Sequence, residues 1–412
     1  MNVATIKLAF RVLARRKVFT AISLVGITLT LVVLVVATAI LDNAFAPHAP
    51  QSRLGRTLFV SHLGQYGPNM TELTNPGRGF LDATVRGLEG AERVTYFTDV
   101  ETAVVYQGGR RMEAPLRRAD PEYWRVFDFR FLEGTPFTAA DESANRSIVV
   151  ITDELRQQLF GHERALGRSI NIGGQMVLVT GVVPRASVAQ ILAFGDVFMP
   201  LGPPTDESRL ALTGNLLAGV LAKSSDDIVS LKKQFAMRVA RVPLSDPKAF
   251  KEMRSGLDTP FEMFADNATH YRFGERAAAV IRAVFFTLAV LFMTLPALNL
   301  ITLNLSRILE RAPEVGVRKA FGAPKRMLIG QFVTENVILT LLGGAIAFGA
   351  AFFVLRALER IDLIPGIRFT LNLQVFFYAM LIAGFFGVFS GAYPAWRMSR
   401  LNPAEALRGG GI

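Results

Sequence analysis

The sequence predicts a membrane protein with four transmembrane α-helices and one large α+β extracytoplasmic domain inserted between the first and second. Three observations carry this. Hydrophobic residues, 51% of the 412, gather in one block near the N-terminus and three blocks after residue 280. The stretch between, roughly 43 to 278, has the mixed composition of a water-soluble domain. The net charge of +11 sits in short segments beside the apolar blocks.

That charge fixes the orientation. Residues 1–18 hold Lys7, Arg11, Arg15, Arg16 and Lys17; residues 305–327 hold Arg307, Arg311, Arg318, Lys319, Lys325 and Arg326; residues 396–412 hold Arg397, Arg400 and Arg408. Against these 14 basic residues stand only Glu310, Glu314 and Glu405, and the other 31 basic and 31 acidic residues cancel. Cationic segments flanking apolar helices stay on the cytoplasmic side, which places both termini inside and the large domain outside. A basic chain can signal nucleic-acid binding; confinement of the charge to these flanks argues against a nucleic-acid partner and for the lipid membrane.

The elements follow in order. After the cytoplasmic segment 1–18, Phe19–Leu41 is free of charge, and at 1.5 Å per residue reaches about 35 Å, enough for a hydrocarbon core of ~30 Å. A signal peptide is the alternative, but the apolar run is too long and Asp42-Asn43-Ala44-Phe45-Ala46 is a poor cleavage site, so the span 19–41 is read as retained. The domain 42–278 alternates strand-like runs with turn signals: Thr57–His62, two strands within Ala91–Gln107, Ser147–Ile151, and a hairpin in Ala165–Pro184 turning at Gly173-Gly174. Asp153–Phe160 and Asp227–Ala240 read as amphipathic helices, each opened by an Asp cap. No cysteine is present, which excludes disulfides, zinc–cysteine and iron–sulfur sites and a cysteine nucleophile; a domain of this length can bury a sufficient core without them.

The second span, 279–305, contains Pro296, which removes a backbone hydrogen bond and predicts a kink. Its Asn299 and Asn304 are intramembrane polar candidates, read as interhelical hydrogen-bonding groups in preference to a substrate site. A cytoplasmic loop, 306–327, precedes the third span, 328–358. There Gln331, Thr334, Glu335 and Asn336 lead into a charge-free run from Val337 to Leu355. An intramembrane acid is a functional candidate by default, but Glu335 lies near the cytoplasmic end, where an interfacial or arginine-paired structural role is favoured. Gly343-Gly344 and Gly349 predict close helix contact. A short outer loop, 359–372, leads to the fourth span, 373–396, with Gly384, Gly387 and Gly391 as a small-residue face and Tyr393 and Trp396 as interfacial aromatics. The tail, 397–412, is cytoplasmic.

Catalytic chemistry is not legible. His48, His62, His162 and His270 are scattered, and Asp141-Glu142 and Asp226-Asp227 read as loop charge and helix caps. No GxxxxGK[ST] phosphate loop occurs in the 412 residues, so the chain is expected not to be an enzyme and to bind no cofactor itself.

The cytoplasmic loop reads Leu309-Glu-Arg-Ala-Pro-Glu-Val-Gly-Val-Arg-Lys-Ala-Phe-Gly-Ala323, which resembles the R-x-x-E-I-G-[IL]-R-[KR]-x-x-G-A signature of the FtsX/MacB permease family. Lys7-Leu-Ala-Phe-Arg-Val-Leu-Ala-Arg-Arg-Lys17 resembles that family's basic N-terminal helix. Phe131-Leu-Glu-Gly-Thr-Pro-Phe-Thr-Ala-Ala-Asp141, with Leu159-Phe-Gly161, Leu166-Gly167 and Val179-Thr-Gly-Val-Val-Pro184, resembles its periplasmic core domain, and Gly391-Ala-Tyr-Pro-Ala-Trp-Arg397 through Asn402-Pro-Ala-Glu-Ala-Leu-Arg408 its C-terminal ending. Residues 42–278 thus correspond to a MacB-like periplasmic core domain and 279–412 to an FtsX-like permease domain.

The resemblance implies a type VII ABC transporter in which two permease chains, identical or related, pair their helix bundles over an ABC ATPase dimer. ATP and Mg would bind the partner ATPase, and motion of the loops would be relayed to the exported domains, a mode called mechanotransmission. It implies that Glu310, Arg311, Glu314, Val315, Gly316, Arg318 and Lys319 form the ATPase-coupling element; by charge alone the same loop is a solvated basic turn. Export or efflux through a periplasmic adaptor and an outer-membrane channel is the favoured use. Lipoprotein or lipid export and an FtsX-like signalling module controlling a periplasmic partner are the alternatives.

Overall fold

The computed structural model describes residues 17–271, 274–291 and 325–361, with isolated positions at 294 and 317 and short runs between 373 and 392. The chain divides into an apolar unit and a mixed unit, with boundaries after Asp42 and after Ala279.

In the apolar unit, helix α1 (Lys17–Phe45) covers the expected span from Phe19 and runs four residues beyond its expected end at Leu41. Its Thr30 and Thr38 hydroxyls donate to the carbonyls of Gly26 and Leu34 one turn back, at 2.9 and 2.8 Å. The helix thus satisfies these polar groups internally, as a lipid environment requires.

The mixed unit contains β1 (Thr57–Val60), β2 (Leu63–Tyr66), β3 (Thr71–Pro76), α2 (Arg78–Thr84), β4 (Ala91–Thr98), β5 (Glu101–Gln107) and β6 (Arg110–Ala119). Then come α3 (Tyr123–Val126), β7 (Glu133–Gly134), α4 (Ala139–Ser143), β8 (Ile148–Thr152), α5 (Asp153–Phe160), β9 (Ser169–Ile172), β10 (Gln175–Val183) and β11 (Val197–Pro200). It ends with α6 (Asp206–Leu210), β12 (Thr213–Gly214), β13 (Leu216–Ala222), α7 (Asp227–Val239), β14 (Glu252–Arg254) and α8 (Pro260–Ala268). Helix α9 (Ala277–Leu291) crosses the second boundary, and α10 (Lys325–Ile361) belongs to the apolar unit.

Strand pairing closes on itself. The order β6-β11-β8-β10-β9-β5 returns to β6 through the β5–β6 hairpin, which makes a six-stranded barrel. The β11–β6 and β8–β10 pairs are parallel and the others antiparallel. Val105, Leu116, Val149, Ile151, Val177, Val179 and Val197 fill one buried cluster. A barrel of this size is packed by its own side chains and has no strand edge. The expected hairpin is β9–β10: Ile172 faces Gln175 across Gly173 and Gly174, whose φ of 58° and 91° suit the left-handed turn that glycine accommodates.

From β6 the sheet continues through β4 and β13 to β1. One side of these strands packs Leu58, Ala218 and Val220 with Phe80 and Leu81 of α2 and Leu231 and Phe235 of α7. The opposite side sends Phe59, Phe97 and Leu221 into an aromatic cluster with Tyr123, Trp124, Phe127, Phe129, Phe137 and Phe198. Tyr123 and Phe127 rings lie 4.5 Å apart, and Trp124 lies 5.4 Å from Phe198. Strand β8 is buried throughout because Val149 and Ile151 face the barrel while Ile148 and Val150 face the aromatic cluster. Arg117, 1% exposed, donates to the carbonyls of Thr98 (2.6 Å), Ile191 (2.8 Å) and Phe194 (3.2 Å); burial lowers its pKa.

Two details correct the expectation. The cap of α5 is Thr152, whose hydroxyl accepts from the Leu155 N–H, with Asp153 inside the first turn. Asp226 makes no side-chain cap at α7; instead Asp227 accepts from the N–H and hydroxyl of Ser224. In both cases the residue three positions from the carboxylate or hydroxyl sets the turn, a spacing that fits more than one register.

Candidate functional site

Helix α10 carries the intramembrane part of the site. Glu335, Leu339, Gly343, Ala347, Ala351 and Leu355 recur every four residues, so neighbours in the series share a face while the stripe turns by about 40° at each step. Glu335, Leu339, Ala347, Ala351 and Leu355 are all buried, Glu335 to 3% exposure. Thr334, Asn336 and Thr340 are buried beside Glu335. The Thr334 hydroxyl donates to the Gly330 carbonyl at 2.8 Å and that of Thr340 to Asn336 at 2.9 Å. The band around Glu335 is therefore a polar layer near the Lys325 end of an otherwise apolar helix.

Helix α1 lies along the Leu339–Ala347 part of this stripe. Leu24 packs with Ile338 and Leu339, and Ile27 and Leu31 pack with Ala347. A side chain at Gly343 would come within 2.8 Å of Ile27, and the Thr28 hydroxyl donates to the Gly343 carbonyl at 3.2 Å. A side chain at Gly344 would collide with Met380. Contacts climb both helices together, from Leu24 with Leu339 to Leu31 with Ala347, so α1 and α10 run parallel. The expected close contact holds at Gly343 and Gly344. It does not hold at Gly349, where an added side chain meets nothing within 4 Å, nor at Gly384. Gly349 is six residues from Gly343, which turns it to another face of the helix.

Within the mixed unit, the end of α1 is held by aromatic contacts. Phe45 lies 5.4 Å from both Phe261 and Phe264 of α8, edge to face. Helix α8 is sharply defined: Thr259 and Glu262 form a reciprocal capping box, with Pro260 in the first turn. Glu262 also pairs with Lys232 of α7, and hydrogen bonds from Lys232 and Thr259 leave its carboxyl below the ordinary glutamate value although burial opposes them. One nine-residue helix thus joins Phe45, α7 and the segment leading to α9.

Among the sequence-predicted residues, Glu335 lies in the buried layer of α10. Asn299, Asn304, Glu310, Arg311, Glu314, Val315, Gly316, Arg318 and Lys319 lie outside the described residues, as does Pro296. Phe45, Phe261 and Phe264 were not singled out in the sequence, although Thr259-Pro260-Phe261-Glu262 carries a readable helix start. Among the described residues, no cluster of histidine and carboxylate side chains has the arrangement of a metal site.

Comparison with known proteins gives two family matches. Residues 20–237 match the MacB-like periplasmic core domain, and residues 286–403 match the FtsX-like permease C-terminal domain. The uncharacterized ABC transporter permease YknZ of Bacillus subtilis (strain 168) is 23% identical over 351 residues, covering 83% of this chain and 84% of that protein. The pyoverdine export ATP-binding/permease protein PvdT of Pseudomonas fluorescens (strain Pf0-1) is 24% identical over 422 residues, covering 98% of this chain. The macrolide export ATP-binding/permease protein MacB of Chromobacterium violaceum is 25% identical over 338 residues, covering 80% of this chain. The chain spans 59% and 47% of the length of these two ATP-binding/permease relatives. Among solved structures, the extracellular domain of YknZ covers 48% of this chain and 98% of that structure, at 19% identity and a TM-score of 0.36.

Proposed function

The chain belongs to the family of ABC transporter permeases of the MacB and FtsX type, and on that premise we propose that it couples ATP hydrolysis on a partner ATPase to movement of its periplasmic domain, driving export or efflux. The observation that carries this reading is the order of the two family matches along one chain, core domain first and permease domain second. The parallel course of α1 and α10 supports it: two helices that cross in the same direction require an odd number of crossings in the chain between them. Four spans with both termini cytoplasmic satisfy that condition and agree with the charge of the flanking segments.

In this mechanism the loop 306–327 docks on the ATPase dimer through Glu310, Arg311, Glu314, Val315, Gly316, Arg318 and Lys319. A second permease chain completes the membrane part, and a periplasmic adaptor and outer-membrane channel would carry cargo onward. ATP and Mg act on the ATPase. The described part of helix α10 opens at Lys325, within the last residues of that loop, and its buried Glu335 layer and Gly343 contact with α1 would pass displacement between helices rather than line a pore. Small residues at such a contact let the two backbones approach closely.

Co-purification tests the reading. The chain purified in detergent from its native membranes should bring down ATP-hydrolysing activity. Glu314→Lys and Arg318→Glu should reach the membrane in normal amount and abolish the dependence of periplasmic activity on ATP. Full coupled activity in both variants, or absence of an ATPase from the purified complex, overturns it.

A further inference from the structure

The mixed unit contains a cleft of about 970 Å³, formed between α7, the strand β14 with the turn after it, and α8. Every lining residue lies between His62 and Ala278, inside that unit. The size suits a drug-sized organic ligand. Ala236 and Ala240 of α7 and the half-buried Met253 of β14 contribute apolar surface, with Val239 and Leu257 buried behind them.

The charges of the lining are unevenly satisfied. Glu252 pairs with Arg254 at 2.7 Å, and Glu262 pairs with Lys232. Asp266, one turn beyond Glu262 on the same face of α8, makes no ion pair among the described residues, and its Oδ1 is withdrawn from solvent without a hydrogen bond. Arg276, the other lining cation, is exposed and makes no ion pair with Asp266. Asp266 also sits in the last turn of α8, which carries no basic residue. Helix C-termini are negative poles, so dipole and carboxylate add at one end of the cleft. An orphaned acceptor beside apolar surface is costly unless a partner meets it.

We propose that this cleft binds an amphipathic organic cation, its charge against Asp266 and its apolar body against Ala236, Ala240 and Met253. Burial, and then the neighbouring Glu262, raise the Asp266 carboxyl to about 6. The other groups around it are Lys232 from α7, Asp258 and Tyr271 from the chain on either side of α8, and His62, which burial holds neutral with a pKa of about 4. Asp266 is therefore charged above pH 6 and takes up a proton below it, so binding weakens as the pH falls. Why such a ligand should meet this chain rests on the export reading; whether it binds does not.

The test is equilibrium dialysis of tetraphenylphosphonium against the full chain in lipid nanodiscs, without nucleotide or ATPase. Tetraphenylborate, of the same shape and opposite charge, is the control. The native chain should retain the cation at pH 8 in excess of empty nanodiscs and bind it at least tenfold more weakly at pH 5. Asp266→Asn, nearly isosteric and checked for a native elution profile, should lose at least tenfold at pH 8 and lose the pH dependence. Glu113→Gln, on β6 away from the cleft, should match the native chain. Unchanged binding in Asp266→Asn, equal retention of tetraphenylborate, or no binding above empty nanodiscs overturns the proposal. Because no ATPase is present, these outcomes are separate from failure of the coupling reading.

Discussion

The two units are held together by opposite means. In the mixed unit, water decides which side of a strand is inside: Ile170 and Ile172 of β9 are buried, while the alternate positions Ser169 and Asn171 are polar and exposed or half-buried. In the apolar unit both faces of a helix are hydrophobic. Ile27 and Leu31 of α1 are buried, and Val25 and Leu29 on other faces are 63% and 62% exposed, with no difference in residue type. Where lipid replaces water, apolar character cannot select a face, so contact is set by where a small residue lets a neighbour in and by hydrogen bonds such as that from Thr28 to Gly343.

The largest effect that would break this contrast lies in the aromatic cluster. Trp124 is surrounded by Tyr123, Phe129, Phe131, Phe137 and Phe198, with ring centroids 5.1 to 5.6 Å away. Trp124→Ala should cost about 3–5 kcal/mol, seen as a lowered denaturation midpoint of the purified full chain by amide hydrogen exchange within β8 and β11. A loss under ~1 kcal/mol would mean that the cluster does not hold the domain.

In the apolar unit the decisive residue is the small one. Gly343→Leu places a side chain into Ile27 and should destabilise the helix contact by about 1–3 kcal/mol. Gly349→Leu, with open space around it, should be neutral. The thermal stability of both variants in nanodiscs checks this, and equal effects would remove the distinction between the two glycines.

The same contrast explains what could be read in advance. The strands β1, β4, β5, β8 and the β9–β10 hairpin were legible because short alternating or β-branched apolar runs and the Gly173-Gly174 turn are local signals. The closure of the barrel was not, because β11–β6 and β8–β10 are parallel pairs whose partners are far apart in sequence. Glu335 was legible as a carboxylate beside an apolar run, but its burial with Thr334, Asn336 and Thr340 depends on which face of α10 meets α1. The Phe45–Phe261–Phe264 contact joins residues over two hundred positions apart, and no single segment encodes it. Helix caps failed on a finer scale: Thr152 and Asp153 are both good cap residues, and only geometry chose the threonine.

The smallest effect concerns charge. Burial, and then the Asp120 carboxylate nearby, raise Glu142 to about 7. An acid whose pKa is higher in the folded state loses stability as pH rises through that value. Glu142→Gln should therefore stabilise the mixed unit at pH 8 by about 1 kcal/mol after allowing for solvent screening at this partly exposed group, a shift of roughly 2–4 °C. At pH 4, where the native carboxyl is protonated, the two proteins should melt together. A gain independent of pH would assign the effect to something other than the carboxylate.

The long-range pairing at the far edge of the sheet also sets a timetable for biogenesis. Thr57 of β1 pairs with Leu221 of β13, so the first strand to be synthesised waits for a partner roughly 160 residues later, about 10–30 s at ordinary elongation rates of ~5–20 residues per second. During that interval Leu58 and Phe59, wholly buried at the end, have no sheet to join. A nascent chain of this protein spends its vulnerable period early, and helpers that shield unpaired strands would have most to do before β13 emerges.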